Sequence, residues 1–226
     1  MSIVKNAEIF LDSNLLTPSR ANKLLKLLND DAKFERHSLH FYNQKTQQVK
    51  SVGSWRVSYW LGEYAQAVQT CNKTVIDIKT GETKSVPTDY VKPYEFPDEI
   101  LELKHKIEKK YGVEFNSCLV GKFEDPDDKI GFHSDASDSM GEDPYIGSVS
   151  LGRTRDFQIQ SKDKTENKTV KLKHGDVLVM RENANRNYKH AVPKDPGCNK
   201  QNFRLNLTFR NYQYCDEEKQ YEAQPF

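Results

Sequence analysis

Residues 204–210 read Arg-Leu-Asn-Leu-Thr-Phe-Arg, and few seven-residue stretches restrict a fold as tightly. On a strand, alternate side chains share a face. The even positions are Arg204, Asn206, Thr208 and Arg210; the odd ones are Leu205, Leu207 and Phe209. One face is therefore wholly polar with two guanidiniums, and the other is wholly apolar. A strand edge against water could carry the same pattern. Two guanidiniums framing an Asn and a Thr, with an apolar back, better suit a dicarboxylate held inside a barrel. Arg meets a carboxylate through a two-pronged fork, which gives that arrangement a purpose.

The rest of the C-terminal half is consistent with such a barrel. Segments 115–123, 146–151, 156–160, 169–172, 177–180 and 203–210 are rich in β-formers and separated by turn residues. Short strands at close intervals argue for a double-sheet roll or barrel. Two helices accompany them. Thr17-Pro18 can open the first, whose Ala21, Leu24, Leu25 and Leu28 recur at helical spacing. The second is predicted from Pro97 to Tyr111, with Asp98 and Glu99 at its start, Lys109 and Lys110 at its end and Gly112 as the stop. Stretch 66–92 reads as a polar insertion or hairpin. The expected class is α+β, mainly β.

His133-Ser134-Asp135 and a lone His190 supply two imidazoles and one carboxylate. That is the ligand set of non-haem Fe(II) oxygenases, whose three protein ligands leave positions open for cosubstrate and O₂. Each piece is common by itself; the order H-x-D, then His, then an Arg-bearing strand is much more specific. His37, His40, His105 and His174 have no such company and read as surface or capping residues.

At 226 residues one domain is the natural expectation. Cys71, Cys118, Cys198 and Cys215 form no C-x-x-C pair, and no stretch is long and apolar enough to span a bilayer or resembles a signal peptide. Reduced thiols and an intracellular place, cytoplasm or nucleus, are expected. The net charge of +1 hides an asymmetry. Residues 150–210 hold 14 Lys/Arg against 6 Asp/Glu, and the remainder 20 against 27. The basic half would favour a polyanionic partner; a plain solvated surface would carry the same charge.

Taken together, His133-Ser134-Asp135, Ile146 to Gly152 with Arg155-Asp156-Phe157, His174 to Met180, His190-Ala191-Val192-Pro193 and the final R-L-N-L-T-F-R resemble the AlkB family of Fe(II)/2-oxoglutarate dioxygenases. The likeness runs from about residue 95 to 212. It is weaker over 1–94, where Trp55-Arg56 and Gly62-Glu63 resemble the family's substrate lid. The resemblance implies a double-stranded β-helix (jelly roll) with N-terminal helices and a nucleotide-lid extension. A single domain would comprise 1–94 as extension and lid and 95–212 as catalytic core. Iron would be held by His133, Asp135 and His190. Arg204 would meet the distal carboxylate of 2-oxoglutarate, Arg210 the chelating end, with Asn206 and Thr208 assisting. O₂ is the second cosubstrate. The family removes N-alkyl groups from DNA or RNA bases flipped into the site: the methyl is hydroxylated and leaves as formaldehyde, while succinate and CO₂ depart. Arg56, Trp60, Tyr64 and Asp138 would contact that substrate, an aromatic stacking on the base. A monomer is expected.

The chain departs from the family where N-x-Y usually stands before HxD; here the residues are Gly121-Lys122-Phe123. Loss of that amide and phenol predicts weaker cosubstrate binding. Two other readings stay open: the same oxygenase chemistry on a protein side chain or small molecule, or a nucleic-acid-binding module with impaired catalysis.

Overall fold

The computed structural model of the chain describes residues 2–36, 38–43, 48–53, 56–63, 74–76, 83–85, 93–135, 140–141, 143–212 and 226. Two antiparallel sheets face each other. The larger has the order β1 (Ile9–Asp12), β12 (Val177–Met180), β9 (Ile146–Gly152), β14 (Arg204–Arg210), β7 (Ser117–Phe123), β4 (Val57–Gly62). The smaller has the order β11 (Asn167–Leu172), β10 (Arg155–Ser161), β13 (Tyr188–Val192), β8 (Ile130–His133). This is the expected mainly-β double-sheet roll. Outside it, β2 (Ser38–Asn43) pairs with β3 (Gln48–Gly53), and β5 (Thr74–Ile76) with β6 (Thr83–Ser85). The latter pair realises the hairpin expected in 66–92.

Both long helices form where they are expected, the first from its start signal and the second up to its stop. Helix α1 (Pro18–Leu28) is capped by Thr17, whose hydroxyl accepts from the Arg20 amide at 3.3 Å. Helix α2 (Asp98–Tyr111) ends at Gly112, in the left-handed region at φ +63°. Leu24 and Leu28 of α1 and Ile100, Leu103 and Ile107 of α2 join one core with Val149, Val179, Leu205, Leu207 and Phe209. The apolar face of β14 is thus buried under a helix layer. A second core lies between the sheets and includes Phe123, Ile146, Leu178, Phe157, Ile159 and Val192.

The expected boundary at residue 94 does not divide the sheet. β1 pairs along its length with β12, and β4 pairs with β7 from Val57 to Gly62. Both strands come from the N-terminal portion, so it is woven into the core sheet. Hydrogen bonding places them there: β1 satisfies the outer edge of β12 and β4 that of β7, and the two are themselves the edge strands of the sheet. Among the described residues no helix is long and apolar enough to cross a membrane. Cys118 and Cys198 are free and buried.

Candidate metal and cosubstrate site

β14 is hydrogen-bonded on both sides over all seven residues, to β7 and to β9. It is a central strand, so its polar face cannot be a wet edge. That face points into the cleft between the sheets. Arg204 is 1% exposed, and its Nη2 donates to Ser150 Oγ at 2.9 Å and Asn206 Oδ1 at 2.5 Å. Asn206 Oδ1 also accepts from Ser148 Oγ at 2.9 Å, and its amide donates to Thr208 Oγ1 at 2.7 Å. Asn206 therefore spends its side chain fixing Arg204 from one side and Thr208 from the other.

The two histidines arrive by register. His190 on β13 is the direct cross-strand partner of His133 on β8, with ring centroids 4.3 Å apart. Asp135 lies two residues past His133, just beyond the strand. One donor atom from each of His133, Asp135 and His190 falls within 4.8 Å of the others. His133 Nδ1 donates to the Gly131 carbonyl at 2.9 Å, which leaves Nε2 as the lone-pair nitrogen, 3.4 Å from Asp135 Oδ1. Burial, reinforced by neighbouring His133, pushes the His190 imidazole down to about 3, so it is neutral and able to donate a lone pair at physiological pH. Phe157 stacks on its ring at 5.5 Å and 22°. Burial raises the Asp135 carboxyl, but Arg210 and the two imidazoles outweigh it and hold it well below the usual carboxylate range. Two imidazole nitrogens and one carboxylate at a single point fit a divalent metal with room left over.

The pairing of Asp135 with Arg210 was not legible in sequence. Nε and Nη2 of Arg210 reach the two carboxylate oxygens at 3.2 and 3.3 Å, a two-pronged pair. Asn185, on the helical turn α3 (Ala184–Asn187), was also missed. Its Oδ1 accepts from the Asp135 amide at 2.7 Å, and its Nδ2 donates to the Asp135 carbonyl at 3.0 Å. The contact spans 50 positions, and no spacing rule in the sequence marks it. Asn185→Ala is expected to lower affinity for Mn(II) by about 10- to 100-fold with all three donors intact. Calorimetry with Mn(II) checks this; unchanged affinity would remove Asn185 from any positioning role.

Beside the donor cluster lies a cationic cradle. The guanidinium carbons of Arg56, Arg155 and Arg204 stand 5.7, 5.1 and 5.3 Å from the centroid of the buried Phe123 ring. Nε and Nη1 of Arg204, Nη1 of Arg155 and Nη1 of Arg210 are buried without a hydrogen-bond partner. Burial, then repulsion from Arg155 and Arg56, pushes Arg204 down to about 9. Buried cations with unsaturated N–H groups are expensive unless an anion completes them. A small dicarboxylate meets that need, and the cradle fits one.

The structure places two of the expected substrate residues. Arg56, preceding β4, turns inward over Phe123 into this cradle. Trp60 shares the cleft-side face with Leu119 and Thr208, yet it is 4% exposed, enclosed with Leu119, Met140 and Tyr212. Its indole packs against these neighbours among the described residues. Tyr64 and Asp138 lie outside the described residues. His174 fulfils its capping expectation: Nδ1 accepts from the Gly152 amide at 2.8 Å.

The fold, the donor cluster and the anion cradle define an oxygenase that works with Fe(II), 2-oxoglutarate and O₂. Accordingly, the chain belongs to the 2OG-Fe(II) oxygenase superfamily, whose family model matches residues 9–210. Within it, the relatives include several AlkB homologues. The chain is 34% identical over 120 residues to alpha-ketoglutarate-dependent dioxygenase alkB homolog 3 of Bos taurus, covering 49% of this chain and 41% of that protein. It is 32% identical over 135 residues to DNA oxidative demethylase ALKBH2 of Arabidopsis thaliana, covering 50% and 42%. It thus spans about two fifths of the length of these relatives. The solved structure of OsALKBH1 shares the fold, with a TM-score of 0.56 at 17% identity, over 92% of this chain and 98% of that one.

Proposed function

We propose that this chain oxidatively demethylates N-alkylated nucleobases, of the 1-methyladenine or 3-methylcytosine type, in DNA or RNA. The observation that carries it is the convergence of the His133, Asp135 and His190 donors beside an anion-binding cradle, in a chain similar to a named DNA oxidative demethylase. His133 Nε2, a carboxylate oxygen of Asp135 and His190 hold iron. Arg204 receives the distal carboxylate of 2-oxoglutarate and Arg210 its chelating end, with Asn206 and Thr208 orienting them. Bound iron with 2-oxoglutarate and O₂ supplies oxidation of the N-methyl carbon.

The protein's own work is to keep the donors ionised or neutral as required. Arg210 keeps Asp135 a carboxylate, and the Gly131 carbonyl keeps the His133 proton on Nδ1. A base must leave its stack to reach a site this enclosed. The single domain acts as an intracellular monomer, in cytoplasm or nucleus. The extension within 1–94, together with Tyr64 and Asp138, supplies contacts to the flipped base.

Incubation with Fe(II), 2-oxoglutarate and methylated oligonucleotides, as single- and double-stranded DNA and RNA, tests the proposal. Methyl loss with stoichiometric formaldehyde is expected. Turnover of 2-oxoglutarate with no methyl loss from any nucleic acid would overturn the nucleobase reading and leave a protein or small-molecule substrate.

A further inference from the structure

Gly121 sits on the inner face of β7, directly opposite Asn206. A Cβ built there would lie 2.6 Å from Arg56 Nε and 3.1 Å from Arg56 Cδ. The Arg56 side chain therefore runs through the volume that any larger residue at 121 would need. It arrives from the neighbouring strand: Ser58 pairs with Gly121, and two-residue alternation puts Arg56 on the same inner face. The route ends at the Phe123 ring, which Arg204 and Arg155 share.

We propose that Arg56 is a cosubstrate-binding residue, a guanidinium from β4's approach that replaces the polar groups β7 lacks at Gly121 and Phe123. A glycine at 121 and a phenylalanine at 123 are the two halves of one device. The glycine opens a channel for a long side chain, and the flat apolar ring gives its cation a face to lie against. Charge supports the assignment. Four guanidiniums, Arg56, Arg155, Arg204 and Arg210, gather where Asp128, Asp135 and Asp195 are the carboxylates that act on them, Asp195 from 3.6 Å on Arg155, so positive charge is still in excess before an anion binds. Burial, then repulsion from Arg210, pushes Arg56 down to about 10, a strain that a bound dicarboxylate relieves. The weaker cosubstrate binding predicted from Gly121 and Phe123 alone is therefore offset: the lost amide is exchanged for a full charge. Binding should consequently be more sensitive to salt than an amide contact would make it.

The inference rests on the superfamily's cosubstrate and not on the nucleobase reading, so substrate-free binding decides it. Calorimetric titration of the Mn(II)-loaded protein with 2-oxoglutarate, at low and high salt, is compared for wild type, Arg56→Ala, Gly121→Asn and the double variant. Arg56→Ala is expected to weaken binding about 10- to 100-fold and to flatten the salt dependence. Gly121→Asn alone should also weaken it, because the new side chain meets Arg56. Adding Arg56→Ala to Gly121→Asn should recover part of the affinity, since the amide then has its space. Thermal melts of each variant separate loss of fold from loss of affinity. Wild-type affinity and salt dependence in a folded Arg56→Ala protein would overturn the proposal. So would a double variant no better than the worse single one. No binding by wild type would instead bring down the cosubstrate site as a whole.

Discussion

Replacing Asp135 with Ala is expected to abolish turnover and, unlike loss of His133, to destabilise the fold. Sequence alone predicts that emptying either ligand position costs activity and leaves the fold intact. The structure separates the two. Arg210 is paired at both oxygens of Asp135, and the two side chains are 11% and 6% exposed. Removing the carboxylate strands a desolvated guanidinium close to Arg56, whose charge already repels it. Breaking a buried pair from one side costs about 3–5 kcal/mol, which for a chain of this size lowers the melting temperature by roughly 2–4 °C per kcal/mol. His133→Ala removes a half-buried ring with no ionic partner to strand except Asp135, which keeps Arg210. Its stability should stay within about 1 kcal/mol of wild type. Parallel melts and formaldehyde release measure both effects. Equal melting of the two variants would show that the Asp135–Arg210 pair contributes nothing to the fold, and residual turnover in either would remove it from the metal site.

Arg204→Met should do the opposite to stability while also destroying function. Arg204 is among the largest fully buried side chains, and two of its nitrogens have no partner. The unliganded protein carries this charge at a cost, and an apolar side chain of similar length relieves it. Replacing buried ionic groups by apolar ones of similar volume is commonly neutral or stabilising by about 1–4 kcal/mol. The variant is therefore expected to melt at or above the wild-type temperature without ligand. With 2-oxoglutarate the order reverses, because only wild type gains stability from binding. Affinity should fall at least about 100-fold, the usual consequence of truncating a buried charge partner. A variant that melts well below wild type would mean that Arg204 is structural, and retained affinity would move the cosubstrate elsewhere. A site that is costly when empty is consistent with binding residues selected for the loaded state.

Much of this protein was legible because its signals are local. The period-two pattern of 204–210 separates the buried leucines from the polar face, and the structure puts Leu205, Leu207 and Phe209 against the helices as that pattern requires. Helix limits at Thr17 and Gly112 followed from capping chemistry. β1, β4 and β13 were harder. Each is short, and each is a strand because a neighbour hydrogen-bonds to it, which leaves little trace in its own residues. Trp60 shows the limit from the other side: an aromatic on a strand reads alike whether it faces a ligand or a core.

From the sequence alone came the donor types, their order and the polarity of the central strand, since side-chain chemistry and strand alternation need no distant partner. Tertiary structure decided that Arg210 clasps Asp135, that Asn185 clamps its backbone, and that Arg56 occupies the room left by Gly121. These contacts join positions 50 to 75 residues apart, and strand register, fixed only when the whole sheet assembles, sets which side chains meet.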